Sequence, residues 1–366
     1  MNKLNVLNDL VSIRSDKDCE EILTYIENKL KDKVKEILYV SNKENSKNNM
    51  LIGINTELKD IEPIVLSGHI DTVGADESKY LTNPYSLVIK DNKAYGLGVI
   101  DMKCFTASVI DLIDELKELN CPIILALTAD EETDLYGINN VIDKLKELNI
   151  KPKFTIVGEP TNMEINNVSN GCFDYKVEAY GKSCHSSTPE IGINSICILA
   201  KLVTYIERLS KKHNDLTMSC DLFQGGTIIN RVPDYASMSF DVRTTNMNNY
   251  NEVIRLINNK INKLKKEYNC KIDITNGVKL PPLVNKNDKL ITSLAESLNL
   301  KINKFSGGCE AGYYSSYSGD AILFGTGLLS LAHKPNEYMV IDDYYKYNDK
   351  LIKLLNKIIK EYYKKA

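Results

Sequence analysis

Three short apolar runs each lead to a residue that can bind a metal or move a proton. The runs are Ile64–Leu66, Pro122–Thr128 and Phe154–Val157, and the residues that follow them are His69, Glu131 and Glu159. Apolar runs of this length, bounded by turn residues, are typical of buried strands. Helical patterns lie between them, and alternating strands and helices favour a mainly parallel sheet whose strand ends meet at one edge. The sequence therefore predicts a functional site at that edge.

Composition limits the class of protein. A chain of 366 residues is long enough for two domains. The formal net charge is −3, with neither sign concentrated in one half, so no nucleic-acid partner is expected. Nine cysteines without a Cys-x-x-Cys pair favour a reducing compartment over a disulfide framework. Since no stretch has the length and composition of a membrane span or a signal peptide, we expect a soluble, cytoplasmic protein with no membrane partner.

Hydrophobic spacing predicts the elements around these strands. Apolar residues at helical spacing predict a helix over 16–32. Asp91-Asn92 between two short apolar segments predicts a hairpin over 87–95, after which Asp101 lies at the junction of a loop and a helix. The other predicted elements are strands at 34–40 and 50–54 around a polar loop at 41–49, helices at 135–148, 289–298 and 341–360, and a strand at 321–324.

The pattern changes between residues 173 and 283. A strand, a helix, two strands, a helix and a strand follow one another there, and this βαββαβ order is that of a ferredoxin-like module. The sequence therefore predicts an α/β protein with a discontinuous catalytic domain, residues 1–172 and 284–366, built as three layers around a mainly parallel sheet. Residues 173–283 are predicted to form an inserted lid or dimerisation domain.

His69 and Asp71 are the first candidate site residues. In an extended segment they point to the same side, where the carboxylate can accept the imidazole N–H and leave the other nitrogen for a metal. A single His-x-Asp is more often a strand-end histidine satisfied by a neighbour. The metal-site interpretation is favoured because the other two predicted strands are also followed by residues that can bind a metal or move a proton, Glu131 and Glu159.

Two imidazoles and three carboxylates are predicted to meet at the sheet edge. They are His69, Asp101, Glu132, Glu159 and His333. This mixture of nitrogen and oxygen ligands suits zinc in a catalytic site, and five ligands serve two ions if one carboxylate bridges them. We therefore expect two divalent metal ions, most simply Zn2+, with Co2+ or Mn2+ as alternatives.

Glu131 and Glu132 are adjacent, so they cannot easily bind the same ion. One is expected to bind metal and the other to face the activated water as a general base, which can later pass the proton to the leaving amine. The alternative for Asp130-Glu131-Glu132 is an acidic turn that is favourable to the dipole of the following helix.

Six motifs resemble, in the same order, those of one metallo-amidohydrolase family. This family includes acetylornithine deacetylase, succinyl-diaminopimelate desuccinylase, the glutamate carboxypeptidases and the aminoacylases. The motifs are Ser67-Gly68-His69-Ile70-Asp71, Asp101-Met102-Lys103, Ala129-Asp130-Glu131-Glu132, Gly158-Glu159-Pro160-Thr161, Gly181-Lys182-Ser183-Cys184-His185-Ser186-Ser187 and Ala332-His333-Lys334-Pro335-Asn336-Glu337. The resemblance covers nearly the whole chain, including the insert.

The resemblance implies a role for each residue of the predicted centre. It implies that the metal ligands are Asp101 as the bridge, His69 and Glu159 on one ion, and Glu132 and His333 on the other. Glu131 would be the general base, and Asp71 would orient His69. The peptide bond after Asp101 would be cis.

The resemblance also implies contacts made through the insert. His185 would reach the active site of a partner subunit and help to stabilise the tetrahedral oxyanion, which implies a homodimer; without the resemblance, a solvated loop histidine would be favoured. Substrate contacts are implied at Asn230, at Arg243 and in the turn Gly308-Cys309-Glu310. Arg243 suits a carboxylate because its planar fork binds both oxygens, but an ion pair with Asp241 or Asp234 is equally consistent with the sequence.

Hydrolysis of the amide bond of an N-acyl amino acid is the function that these observations favour, with acetylornithine-type deacetylation as the leading member. A small-peptide exopeptidase with the same site is the alternative, because the two activities differ in pocket shape rather than in ligands. A catalytically inactive relative is disfavoured, since every candidate ligand and the base are present. Gly96-Leu97-Gly98 lacks the third glycine of a dinucleotide motif, and no Gly-x-Ser-x-Gly elbow indicates a serine hydrolase.

Overall fold

The computed structural model describes residues 4–41 and 48–363, so most of the predicted polar loop at 41–49 lies outside the described residues. The described helices are α1 (Asn5–Ser12), α2 (Glu20–Leu30), α3 (Lys103–Asp111), α4 (Ile113–Lys117), α5 (Tyr136–Glu147), α6 (Ser195–Ser210), α7 (Met247–Tyr268), α8 (Asp288–Ser297), α9 (Ala311–Tyr317) and α10 (Ile341–Tyr362). The described strands are β1 (Glu36–Ser41), β2 (Asn48–Gly53), β3 (Ile64–His69), β4 (Val88–Lys90), β5 (Lys93–Tyr95), β6 (Ile123–Thr128), β7 (Phe154–Val157), β8 (Ile165–Ser169), β9 (Gly171–Tyr180), β10 (Leu216–Gly225), β11 (Tyr235–Thr244), β12 (Lys271–Leu280), β13 (Ile302–Phe305), β14 (Asp320–Leu323) and β15 (Tyr338–Val340). None of these helices is both long and apolar enough to cross a membrane.

The chain divides into two compact units. The first comprises Met1–Ser169 and Leu283–Ala366, and the second comprises Asn170–Pro282. The second unit thus interrupts the first in sequence.

An eight-stranded sheet forms the centre of the first unit. Its strand order is β1-β2-β6-β3-β7-β14-β8-β13, and β6, β3, β7 and β14 run parallel to one another. Strands β3, β6 and β7 are buried along their whole length, which explains why their sequences are continuous apolar runs rather than alternating patterns. Because the parallel strands end at one edge, the residues that follow β3, β6 and β7 come together there, and the predicted α/β fold is confirmed.

Two glycines allow helix α3 to approach this edge closely. A side chain at Gly68, in β3, or at Gly158, just after β7, would clash with Phe105 and Met102. Without a Cβ at either position, the ring of Phe105 packs directly on the strand ends. Asp101, immediately before α3, is thereby brought to the edge where β3 and β7 end.

The second unit is a four-stranded antiparallel sheet with order β10-β11-β9-β12. Alternate residues of β11 are buried, as expected of a sheet with one covered face. That face packs against α6 and α7 through a core that includes Val177, Phe240, Leu202 and Ile257. The predicted ferredoxin-like order βαββαβ is confirmed.

Local differences from the predicted elements have identifiable causes. The predicted hairpin is confirmed, with Asp91 and Asn92 at positive φ between β4 and β5. The predicted helix over 16–32 is wrong at its start, because helix α2 begins at Glu20, where the carboxylate of Asp18 accepts the Glu20 N–H at 2.9 Å.

Candidate metal centre

His69 ends strand β3 with its imidazole buried and held at both nitrogens. Nδ1 lies 3.0 Å from the backbone carbonyl oxygen of Asp71, and Nε2 lies 3.1 Å from Oδ1 of Asp101. The Asp71 carboxylate is farther from the ring, at 3.6 Å, and accepts the backbone N–H groups of Glu131 and Glu132 at 3.3 and 3.1 Å. Asp71 therefore faces Nδ1 of His69 with both its carbonyl oxygen and its carboxylate, and the carboxylate also fixes the turn after β6.

Asp101 lies between two imidazoles. Its Oδ1 is 3.1 Å from Nε2 of His69, and its Oδ2 is 3.3 Å from Nε2 of His333. The Asp101-Met102 peptide bond is cis, as the resemblance implies. Burial opposes ionisation of Asp101, but the hydrogen bonds to His333 and His69 prevail and hold its pKa well below its usual range. A carboxylate with one oxygen directed at each histidine could bridge two cations.

Glu132 and His333 meet on the other side of Asp101. Oε1 of Glu132 lies 2.9 Å from Nε2 of His333, whose hydrogen bonds to Asp101 and Glu132 raise its pKa to about 10. Ligand atoms of His69, Asp101 and Glu132 all lie within 4.8 Å of one another. These three side chains could therefore hold a metal ion, with His333 alongside.

Two further carboxyl groups crowd the same centre. Glu159 is buried just after β7, and its Oε1 has no hydrogen-bond partner among the described residues. Burial and the nearby charge of Asp101 raise the pKa of Glu159 to about 8. Burial also raises the pKa of Glu131 well above its ordinary value; His69 opposes this shift, whereas Glu159 and Glu132 add to it.

The donor set fits divalent cations. Buried carboxylates that repel one another are stabilised when a cation lies between them. The unpartnered oxygen of Glu159 is a free ligand atom of the required kind. Zinc accepts this combination of imidazole nitrogens and carboxylate oxygens. The residues that fit are His69, Asp101, Glu132, Glu159 and His333.

Without metal, the protein is expected to lose stability as the pH rises. The folded-state pKa of Glu159 is about 8 against an ordinary 4.5, so its contribution to stability is lost between about pH 4.5 and 8. The pKa of His333 is about 10 against 6.5, and the stabilisation from its charged form is lost between about pH 6.5 and 10. We expect the chelator-treated protein to unfold at least ~5 °C lower at pH 9 than at pH 5 in calorimetry. Metal-loaded protein should change less, and a chelated protein that is more stable at pH 9 would contradict this expectation.

Glu337 holds the loop that carries Asp101, a role that no sequence pattern revealed. Its buried carboxylate accepts the backbone N–H groups of Gly98, Ile100 and Asp101 at 3.1, 2.7 and 3.3 Å. Burial raises the pKa of Glu337 to about 8, although the three N–H groups oppose this shift by favouring the charged form. Glu337 is the last residue of a motif noted in the sequence, but that motif did not identify the loop at 98–101 as its hydrogen-bond partner.

Replacing Glu337 by Gln is expected to lower the free energy of unfolding by about 2–3 kcal/mol. The amide offers one acceptor oxygen in place of two, and its NH2 group would face backbone N–H groups. Urea unfolding at pH 7 measures the change. Glu118→Gln, at an exposed position after α4, is the matched control and should shift unfolding by no more than about 0.5 kcal/mol. If the two variants had the same free energy of unfolding, the three hydrogen bonds to Glu337 would add nothing to stability.

Lys103 and Glu310 are also buried in the first unit. Nζ of Lys103 donates to the carbonyl oxygen of Ile13 at 2.8 Å, and burial lowers the pKa of Lys103 to about 8. Burial raises the pKa of Glu310, just before α9, to about 7. Lys103 was part of a noted motif without an assigned role, because its partner lies 90 residues away in the sequence.

The remaining predicted site residues are distributed over both units. In the first unit, Cys309 is buried with its Sγ 3.4 Å from Oγ of Ser169, and Gly308 precedes it. In the second unit, Nδ1 of His185 lies 2.8 Å from Oγ of Ser187, and the carbonyl oxygen of Asn230 accepts the Ser186 N–H at 3.1 Å.

Arg243 also lies in the second unit, in strand β11. Its Nε lies 2.5 Å from Oδ2 of Asp241, and its guanidinium contacts Sγ of Cys172. The ion pair with Asp241, one of the two interpretations of this arginine, is thus present.

The fold and the site together define the class of protein as a metallohydrolase. Buried carboxylates, the buried imidazole of His69 and the more exposed imidazole of His333 converge at the carboxyl edge of a parallel sheet, with Glu131 beside them. The family described as Peptidase family M20/M25/M40 matches residues 65–357. The chain belongs to this family, and the family resemblance predicted from the motifs is confirmed.

Individual relatives differ in their named activities. The chain is 30% identical over 294 residues to acetylornithine deacetylase of Buchnera aphidicola subsp. Acyrthosiphon pisum, covering 75% of each chain. A solved tripeptidase of Staphylococcus aureus superposes with a TM-score of 0.78 at 20% identity, covering 98% of each chain. A protein of Bacillus subtilis described as a dinuclear metal-binding peptidase of the M20 family gives a TM-score of 0.71 at 17% identity, again covering 98% of each chain.

Proposed function

We propose that the protein hydrolyses the amide bond of N-acyl amino acids, with N-acetylornithine as the leading substrate. The observation that carries the proposal is Asp101 between His69 and His333, at 3.1 and 3.3 Å. The 30% identity to an acetylornithine deacetylase over three quarters of the chain supports this substrate class.

Two divalent cations would be held by the residues that fit them, most simply as zinc, with cobalt or manganese as substitutes. Asp101 would bridge, His69 and Glu159 would complete one site, and Glu132 and His333 the other. Cations bound in this way polarise the scissile carbonyl and lower the pKa of a water molecule. The protein fixes the positions of these ligands. Glu337 holds the loop before Asp101 and Asp71 holds the turn that carries Glu132, in each case by accepting backbone N–H groups.

Glu131 is proposed as the general base. Glu132 is committed to the centre by its contact with His333, whereas the Glu131 carboxylate makes no hydrogen bond to any residue in the described part of the chain. Asp71 fixes the backbone of both glutamates, so their side chains keep separate positions. Glu131 takes a proton from the attacking water and delivers it to the leaving amine.

Activity before and after metal removal tests this function. Chelation should abolish hydrolysis of N-acetyl-L-ornithine, and added zinc or cobalt should restore it. A protein that stays fully active after its metal content has fallen to zero by elemental analysis would exclude the proposed chemistry.

A small-peptide exopeptidase with the same centre is the second candidate. Its support is the family itself and the likeness in fold to a solved tripeptidase. Comparing kcat/KM for acetylated amino acids with kcat/KM for di- and tripeptides separates the two. Faster cleavage of peptides would favour the exopeptidase.

A homodimer formed through the second unit, with His185 acting in the partner's active site, is also proposed. Strand β10 is an edge of its sheet, and Leu222 and Phe223 on it are 61% and 42% exposed. An exposed apolar edge strand favours pairing with a second chain. Sedimentation should show a dimer, and Leu222→Lys should weaken it; a wild-type monomer at micromolar concentration would contradict the proposal.

Asn230 and Arg243 are proposed to contact the substrate, together with the backbone of the turn at Gly308 and Cys309. We also propose that the protein functions in the cytoplasm, which is consistent with nine free cysteines. Fractionation of cells that produce it would test the location.

A further inference from the structure

A buried lysine begins the helix that follows Asp101. Lys103 is the first residue of α3 and is 2% exposed. A cation at the start of a helix is unfavourable to the helix dipole, and burial adds the loss of its hydration. No residue within the described ranges 4–41 and 48–363 forms a salt bridge with Lys103. Lys103 is therefore unfavourable for α3 itself, and its contacts with other elements explain its place in the fold.

The side chain of Lys103 ends at the C-terminus of helix α1. Its Nζ donates to the carbonyl oxygen of Ile13 at 2.8 Å, and Ile13 directly follows α1. A carbonyl at this end of a helix lacks an intrahelical partner and lies at the negative end of the dipole, so it suits an ammonium group. Helix α1 also lies against the start of the Asp101 loop, residues 96–102, because a side chain at Gly96 would clash with Val11. Lys103 therefore connects the end of α1 to this loop.

The backbone of Lys103 closes the Asp101 loop. The Lys103 N–H donates to the Gly98 carbonyl oxygen at 2.8 Å, and the methylene chain of Lys103 runs alongside Gly98. Gly98 has a φ of +71°, a conformation that glycine adopts readily. Glu337 accepts three other N–H groups of the same loop, at 2.7–3.3 Å. Lys103 and Glu337 together therefore hold both donors and an acceptor of the loop backbone.

Lys103 and Glu337 carry opposite charges beside one loop. Both residues are 2% exposed, and the negative charges of Glu337, Asp16 and Asp71 act on Lys103. A buried charge is unfavourable without a charge of opposite sign nearby, and removal of one member of such a pair leaves the other uncompensated. The Lys103 ammonium therefore compensates the carboxylate that holds the Asp101 loop.

We propose that Lys103 is a positioning residue of the metal centre, which acts with Glu337 to hold the Asp101 loop in the shape that places the Asp101 carboxylate between His69 and His333. The proposal rests on the proposed function for the ions that Asp101 binds. A loop that is fixed before the ions bind has less freedom to lose when they do. Metal affinity therefore depends on Lys103, although Lys103 is not a ligand.

Zinc affinity tests the proposal, because positioning and simple charge repulsion predict opposite changes. Lys103→Met removes a positive charge near the cations, which by Coulomb's law alone would tighten zinc binding. Loss of positioning should instead raise the Kd for zinc by about 10- to 100-fold, measured by competition with a chromophoric chelator. Lys357→Met, at an exposed position on α10, is the matched control and should bind zinc as the unmodified protein does. An unchanged or lower Kd in Lys103→Met would overturn the proposal.

Two further measurements make the result specific. The absorption spectrum of bound cobalt reports the geometry of its ligands, so it should change in Lys103→Met and not in Lys357→Met. The double variant Lys103→Met/Glu337→Gln buries neither charge, and it supplies a folded protein if Lys103→Met alone does not fold. Its Kd for zinc should be no more than about threefold above that of Glu337→Gln, because the two residues act together. A further tenfold rise would overturn their joint action.

Hydrogen exchange of the metal-free proteins separates this proposal from the proposed function. The N–H groups of Gly98, Ile100 and Lys103 are hydrogen-bonded, so peptides that cover them should exchange at least ~5-fold faster in Lys103→Met than in Lys357→Met or the unmodified protein. Equal exchange in all three would overturn the role of Lys103 in holding the loop. Faster exchange in Lys103→Met, combined with an unmodified protein that binds no zinc, would overturn the proposed function and retain Lys103 as the residue that holds the loop.

Discussion

Replacing Glu131 by Gln is expected to lower kcat for amide hydrolysis by about 10³-fold while KM changes little. Glutamine keeps the size of the side chain but cannot accept the proton of the attacking water. Bound metal should remain, because the proposed ligands are intact. Steady-state kinetics combined with elemental analysis of the same sample measure both quantities.

Two comparisons make the Glu131 result specific. Glu252→Gln, at an exposed position on helix α7, should retain full activity. Glu131→Asp keeps the carboxylate but shortens its reach, so its activity should lie between those of the Gln variant and the unmodified protein. Full activity of a metal-loaded Glu131→Gln protein would remove Glu131 as the base.

Replacing Asp101 by Asn is expected to abolish activity and to leave one metal ion or fewer per chain, in place of about two. The carboxylate offers one oxygen to each side of the centre, 3.1 Å from His69 and 3.3 Å from His333. An amide has one such oxygen, so it cannot serve both sides. Elemental analysis after dialysis against buffered zinc measures the metal content.

Asp349→Asn, at an exposed position on α10, is the matched control for this variant and should keep the metal content and activity of the unmodified protein. An Asp101→Asn protein with two tightly bound ions would contradict the bridging role. Circular dichroism of both variants shows whether the fold is preserved.

Much of the fold could be predicted from the sequence because the central strands have a clear hydrophobic pattern. The buried parallel strands β3, β6 and β7 are continuous apolar runs that end in polar turns, and this contrast marks both their position and their ends. Strands β8 and β13 and helix α9 were missed. They are four to seven residues long and mix polar with apolar positions, so their local pattern is weak.

The contacts that stabilise the centre were harder to predict because they join distant parts of the chain. Glu337 accepts N–H groups from a loop more than 230 positions earlier, and such a partner is decided by folding rather than by spacing. Asp71 was identified as a partner of His69, but the hydrogen bonds that its carboxylate accepts from the backbone of Glu131 and Glu132 were not predicted. The residue types at a site can therefore be read from motifs, whereas hydrogen-bond partners require coordinates.

Arg243, in the second unit, shows the same limit. The family resemblance implies that Arg243 contacts the substrate. The alternative, an ion pair with Asp241, is equally consistent with the sequence, and the structure contains that ion pair. The guanidinium of Arg243 also contacts Cys172, which the pairing of β9 with β11 brings opposite it, and this contact could not be predicted from sequence spacing.

Zinc-loaded crystals provide the most direct test of the metal centre. An anomalous-difference map at the zinc edge should contain two peaks, one on each side of Asp101, at roughly 2.0–2.2 Å from their ligand atoms, with His69 next to one and His333 next to the other. No peak beside Asp101 in fully loaded crystals, or zinc bound away from both histidines, would contradict the dinuclear centre and the hydrolytic mechanism built on it.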